Sequence, residues 1–220
     1  MPHFKAVIFD LDGTLLDTLA DIANSMNCVL QRYNFPVRPI VNYRYYVGGG
    51  MGNLVENVLE DIPATEAQKS DLLKDFRAEY EKQYLLETKP YDGIMEAFSA
   101  LGIYGEPLKL GVLSNKADSF TKKMVQYYFP LVPFSQVRGA MENVPSKPNP
   151  QALLEMAEHW GIAANEIIFV GDSDVDMQTA RNAGSFAAGV LWGFREAAEL
   201  LANGADVLLE KPLDLLNILK

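Results

Sequence analysis

Four apolar residues, Ala6 to Phe9, deliver two acids separated by a single leucine, Asp10 and Asp12, into a glycine turn at Gly13. Few folds accommodate that combination. A strand with no polar residue on either side is buried on both faces, the habit of a parallel sheet covered by helices. An acid at the carboxyl end of such a strand lies at the edge where open α/β sheets bind ligands, so the run AVIFDLDGTL sets Asp10 in a crevice. Two carboxylates about 4 Å apart repel by roughly 4 kcal/mol at an effective dielectric near 20. Keeping both ionised in one pocket therefore calls for a cation or a shared proton, and a hard divalent cation is the simpler answer.

Other strand-like runs, at 108–113, 166–170 and 186–191 with a weaker one at 206–209, alternate with helical patterns. This alternation predicts an α/β, Rossmann-like three-layer core built on a parallel sheet. Between 17 and 88 the β pattern disappears, and helical periods cover 18–33, 41–46, 54–61 and 67–86. The expected organisation is a core domain made of 1–16 and 89–220, with an all-helical domain, 17–88, inserted into it. The two crossings fall near 15–17 and 89–93, where Pro90 and Gly93 interrupt helix.

Charge and composition narrow the function classes. A formal net charge of -10, with no dense cluster of Lys or Arg, argues against a nucleic-acid partner. Small phosphorylated metabolites remain suitable, because they need only local positive charge. No apolar run approaches the length of a membrane span, and the short apolar stretch in MPHFKAVIFD ends at an acid without a signal-peptide cleavage pattern. The single cysteine, Cys28, excludes an intramolecular disulfide and a CxxC zinc site. Neither histidine, His3 or His159, has a second histidine at metal-ligand spacing. The expectation is a cytoplasmic protein, a monomer or small homo-oligomer with no membrane association.

Further polar residues follow the later strands: LSNK ends the second, NVPSKPNP follows Met141, and FVGDSDVD ends the next. If the sheet is parallel, Asp10, Ser114 and Asp172 share one edge. With Lys147 and the run Gly171-Asp172-Ser173-Asp174-Val175-Asp176, this order resembles the four motifs of the haloacid dehalogenase superfamily of hydrolases, the first being Asp10-Leu11-Asp12-Gly13-Thr14. The helical insertion after the first motif resembles that superfamily's C1 cap. DGTLLDT, the triple glycine at 48–50, PYDGI and SKPNP are most similar to its phosphoglycolate phosphatase-like members.

That resemblance implies roles for individual residues. Asp10 would be the nucleophile that forms an aspartyl-phosphate, and Asp12 the acid and base two residues on. Ser114 and the backbone N–H of Asn115 would hold a phosphoryl oxygen, and Lys147 would neutralise charge on the phosphate and Asp10. Asp172, a side-chain oxygen of Asp10 and the carbonyl of Asp12 would hold Mg²⁺, with Asp176 orienting a water on the metal. Thr14 joins the substrate-binding candidates. So do Gly49 in the glycine loop and Arg44, since a carboxylate-bearing leaving group would want an arginine.

Asp12 argues against dehalogenases and phosphonate hydrolases of the superfamily, which lack that aspartate. Thr14 stands where phosphosugar mutases usually carry valine. The expected activity is a Mg²⁺-dependent phosphatase acting on a small phosphorylated metabolite. The alternatives are a phosphosugar mutase or a non-catalytic phosphate-binding regulatory protein.

Overall fold

The computed structural model describes residues 4–102 and 108–219; His3 lies outside them. At its centre is β1 (Ala6–Phe9), hydrogen-bonded in parallel to β4 (Lys109–Ala117) on one side and β6 (Ile167–Gly171) on the other. The sheet continues through β5 (Phe134–Ala140) beyond β4, and through β7 (Phe186–Val190) and β8 (Val207–Leu209) beyond β6. Among the described residues it is a six-stranded, wholly parallel sheet in the order β5-β4-β1-β6-β7-β8.

The two-residue period of a strand explains why helices cover both faces. Val7 and Phe9, with Val112, Ile168 and Val170, pack against α5 (Ile94–Gly102) through Ile94, Phe98 and Leu101. Ala6 and Ile8, with Ile167 and Phe169, face the other way, onto Leu153 and Met156 of α7 (Gln151–Trp160) and Met177 and Ala180 of α8 (Asp174–Ala183). Both sets are fully buried, as the unbroken apolar runs predicted.

The segment without β pattern is helical. It contains α1 (Leu19–Arg32), α2 (Tyr43–Tyr46), α3 (Gly50–Val58) and α4 (Glu66–Gln83), gathered round a second apolar cluster that includes Met26, Leu30, Tyr43, Leu72 and Phe76. At its two ends the chain forms a short antiparallel pair, β2 (Leu16–Asp17) with β3 (Lys89–Pro90). α3 begins four residues ahead of the expected 54–61, because Gly50 and Gly52 disguise its first turn. The remaining helices are α6 (Asp118–Tyr128), α9 (Ala197–Ala202) and α10 (Leu215–Ile218).

Asp21 ties α1 to the returning chain. Its buried carboxylate accepts from Glu87 N at 2.9 Å, Thr88 N at 2.9 Å and Thr88 Oγ1 at 2.7 Å. Aromatic contacts join the helical layer to the sheet side: Phe120 of α6 lies 5.1 Å from the Tyr80 ring and 5.4 Å from Tyr84. Replacing Asp21 by alanine strands those buried donors. The expected loss of stability is about 2–4 kcal/mol, read from urea denaturation midpoints at constant m-value.

Candidate active site

Register brings the acids together. Phe9 pairs with Val112 on one side and Val170 on the other, so Asp10 and Asp172 follow the carboxyl ends of adjacent central strands and Ser114, inside β4, stands near them. The turn after β1 is close-packed: Gly13 has φ +83°, and a Cβ there would fall 2.2 Å from Asp172 Oδ2. Only glycine meets both demands.

Lys147 stands among these acids. Its Nζ is 2.6 Å from Asp176 Oδ1 and 2.9 Å from Asp10 Oδ1. Asp10 Oδ1 is buried, and this ammonium is the cation paired with it. Asp176 is committed at both oxygens. Its Oδ2 accepts from Ser173 N at 3.1 Å and Ser173 Oγ at 2.7 Å, closing a capping box at the start of α8. Asp172 Oδ1 accepts from Thr14 Oγ1 at 3.2 Å and Oδ2 from Phe194 N at 2.8 Å. Asp12 is paired with Lys116, whose Nζ is 2.9 and 3.0 Å from its two oxygens and 4.7 Å above the Tyr80 ring.

Burial disfavours charge on Asp10 and Asp172. It pushes the Asp10 carboxyl up to about 7, with Lys147 opposing and Asp176 and Asp12 adding to the rise. Burial, then the neighbouring Asp176 and Asp10, raise Asp172 well above the usual carboxylate range. For Lys147 burial also opposes the charge, but Asp10 and Asp176 outweigh it and hold the ammonium protonated.

One oxygen each from Asp10, Asp172 and Asp176 lies within 4.8 Å of the others. Asp176 meets both the Lys147 ammonium and Ser173, whereas Asp172 accepts only from neutral donors, so Asp10 and Asp172 are the acids whose remaining lone pairs could meet a cation. A small set of hard oxygen donors, too few to complete a coordination shell, fits Mg²⁺, which keeps several waters.

The site opens into a cavity of about 580 Å³, part of it open to solvent. Asp10, Asp12, Ser114, Asn115, Lys116, Asp172 and Arg195 supply its polar wall, while Ile22, Met51, Leu54 and Phe76 of the helical layer supply an apolar one. Asn115 lines it but is also a tether: Nδ2 donates to Gly48 O at 2.9 Å and Lys147 O at 3.0 Å, and Oδ1 accepts from Lys147 N at 2.9 Å.

Three expected substrate contacts are placed elsewhere. Arg44 does not line the cavity; its Nε donates to Phe194 O at 3.0 Å and Nη2 to Gly193 O at 3.1 Å, so the guanidinium straps the helical layer to the loop after β7. Thr14 is wholly buried behind Asp172 and orients it rather than meeting a ligand. In the glycine loop Gly48 and Gly50 line the cavity, whereas Gly49 turns against Asn53. Lys116 and Arg195 were not singled out in the sequence. Lys116 carried a signal, standing two residues after Ser114 in the same strand; Arg195, five residues beyond the end of β7, carried none.

The sequence matches the haloacid dehalogenase-like hydrolase family over residues 7–190. The chain belongs to that family. It is 33% identical over 208 residues to the phosphoglycolate phosphatase of Nitrosospira multiformis, covering 93% of this chain and 90% of the relative. It is 30% identical over 219 residues to the N-acetylmuramic acid 6-phosphate phosphatase of Pseudomonas aeruginosa, covering 99% and 95%. Among solved structures, a phosphoglycolate phosphatase candidate from Lactobacillus delbrueckii subsp. bulgaricus superposes with a TM-score of 0.91 at 26% identity, over 99% of this chain and 98% of the other. No helix among the described residues is long and apolar enough to cross a membrane.

Relief of the buried acids by a cation predicts a thermal shift. At a hundredfold excess over Kd, Mg²⁺ should raise Tm by roughly 5–10 °C, by mass action on a chain of this size. Asp172→Asn should lose most of that increment in differential scanning fluorimetry.

Proposed function

We propose that this chain is a phosphomonoesterase that hydrolyses a small phosphorylated metabolite through an aspartyl-phosphate on Asp10. The observation that carries the reading is the grouping of Asp10, Asp12, Ser114, Lys147 and Asp172 at one sheet edge, four of them at one cavity wall with Lys147 touching Asp10 from behind. The helical insertion, 17–88, serves as a cap over the core made of 1–16 and 89–220, and its apolar wall meets the leaving group.

A carboxylate oxygen of Asp10 attacks phosphorus while the bond to the leaving oxygen breaks, and Asp12 gives that oxygen its proton. Asp12 is paired with Lys116 in this arrangement, so the pair must part for the transfer. In the second half Asp12 takes a proton from the water that attacks phosphorus. The bond to Asp10 then breaks, releasing inorganic phosphate and restoring both acids. Ser114 donates to a phosphoryl oxygen, and Lys147 holds positive charge against Asp10 through both steps. Asp10, Asp172 and the Asp12 carbonyl would hold Mg²⁺, whose charge offsets that of the phosphoryl oxygens and the carboxylates. Asp176 keeps Lys147 protonated and in place.

The relatives named for phosphoglycolate and for N-acetylmuramic acid 6-phosphate both act on phosphate esters of carboxylic acids. A hydroxy acid phosphate is accordingly the favoured substrate, with 2-phosphoglycolate the first to try.

Phosphate release from a panel of phosphorylated metabolites, with Mg²⁺ and again with EDTA, tests the reading. The expected result is Mg²⁺-dependent release concentrated on few compounds, reduced by about 10⁴-fold or more in folded Asp10→Asn. Wild-type turnover in that variant would refute the nucleophile. Interconversion of sugar phosphates without phosphate release would indicate the mutase instead.

A further inference from the structure

Arg195 has a hydrogen-bonding capacity that the fold does not use. It follows β7 in the loop Trp192-Gly193-Phe194-Arg195, which is pinned to the first-motif turn and to Asp172. Trp192 Nε1 donates to Thr14 O at 2.9 Å, and Phe194 N donates to Asp172 Oδ2 at 2.8 Å. Gly193 is wedged so closely that a Cβ would lie 2.3 Å from Asp172 Cβ and 2.5 Å from Gly13 O. The backbone therefore holds Arg195 at a set offset from the reacting carboxylates.

The guanidinium itself is also held. Its Nε donates to Glu199 Oε1 at 3.1 Å, Nη2 donates to Val47 O at 3.1 Å, and its carbon lies 5.3 Å from the Tyr45 ring centroid. Nη1 has no partner among the described residues, although the side chain lines the cavity and the residue is only 7% exposed. A buried charged donor left unmade is costly, and an entering acceptor would relieve it.

Among the described residues, the one other cation lining the cavity is Lys116. Lys116 is taken by Asp12, and Arg44 is spent on the Gly193 and Phe194 carbonyls. The side chains the helical layer gives the cavity include Ile22, Met51, Leu54, Phe76 and Tyr80, which offer a leaving group no positive charge.

We infer that Arg195 is the specificity residue of this site: it binds a second anionic group, a carboxylate or a second phosphate, carried by the leaving group of the substrate. A planar guanidinium already fixed by two bonds loses little freedom on accepting such an oxygen. Phosphate esters with a neutral leaving group leave the donor unmade and are discriminated against. This inference rests on the phosphomonoesterase reading above.

Ethyl phosphate and 2-phosphoglycolate form a matched pair that differs in a methyl against a carboxylate, and ethylene glycol bisphosphate adds the second-phosphate arm. We expect kcat/KM for at least one anionic ester to exceed that for ethyl phosphate by on the order of 10²-fold. Arg195→Met should collapse the ratio towards one, and Arg195→Lys, which keeps the charge without the fork, should restore part of it. The arm that loses more in the variant identifies the anion. A ratio in Arg195→Met equal to the wild-type ratio would overturn the inference, because Arg195 would then act only by holding the Val47 loop or by favouring the ionised form of Asp172. Both of those effects fall on all esters alike. A wild type that prefers ethyl phosphate would overturn it too. Calorimetric titration of the same compounds into wild type and Arg195→Met reads the preference without turnover. Silence in the kinetic assay with discrimination in the titration would thus sink hydrolysis alone, and equal binding would sink the anion site.

Discussion

The contact on which the site depends is the ammonium of Lys147 set between Asp10 and Asp176 at the end of the central strands. Sheet register forces Asp10 and Asp172 into proximity, and burial makes their charge costly. Four acids, Asp10, Asp12, Asp172 and Asp176, share the region with two lysines, Lys116 and Lys147, so the acids outnumber the cations that face them. A divalent cation would ease that imbalance, with Asp10 and Asp172 the acids placed to meet it.

The loop after β7 extends that problem to the helical layer. Phe194 N orients Asp172, the carbonyls of Gly193 and Phe194 receive Arg44, and Arg195 reaches the Val47 carbonyl. From β4, Asn115 reaches the carbonyl of Gly48. The layer that walls the cavity is thus attached to the same short segments that shape the acids. Displacing it would break these side-chain to backbone hydrogen bonds, each worth about 1 kcal/mol, and part Phe120 from the Tyr80 and Tyr84 rings.

Legibility from sequence followed chemistry and period. Apolar runs with alternating faces disclosed β1, β6 and β7, and the strand-end rule located Asp10, Ser114 and Asp172. The edge strand β5 escaped, because FSQVRGA is half exposed and interleaves polar residues and glycine, so no apolar run marks it. Strand β4 runs on through Ser114 to Ala117, past the point where its apolar residues end. Arg44 was legible as an arginine near a glycine loop, but its direction was not; in the fold it meets backbone carbonyls instead of the cavity. Thr14 was legible as a motif residue, yet it lies behind Asp172.

By itself the sequence determined the parallel sheet, the helical stretch that follows β1, and the family, and it named the acids, serine and lysine proposed for the site. These follow from hydrophobic period and from residue types whose spacing along one element is local information. Tertiary structure decided which cations are free. Lys116 is paired, Lys147 is shared, Arg44 is used as a strap, and Arg195 keeps an unmade donor beside the cavity. The physical reason is reach: these side chains are long, and their partners lie up to 150 positions away in sequence, so only the packing of the helical layer against the sheet edge selects among them.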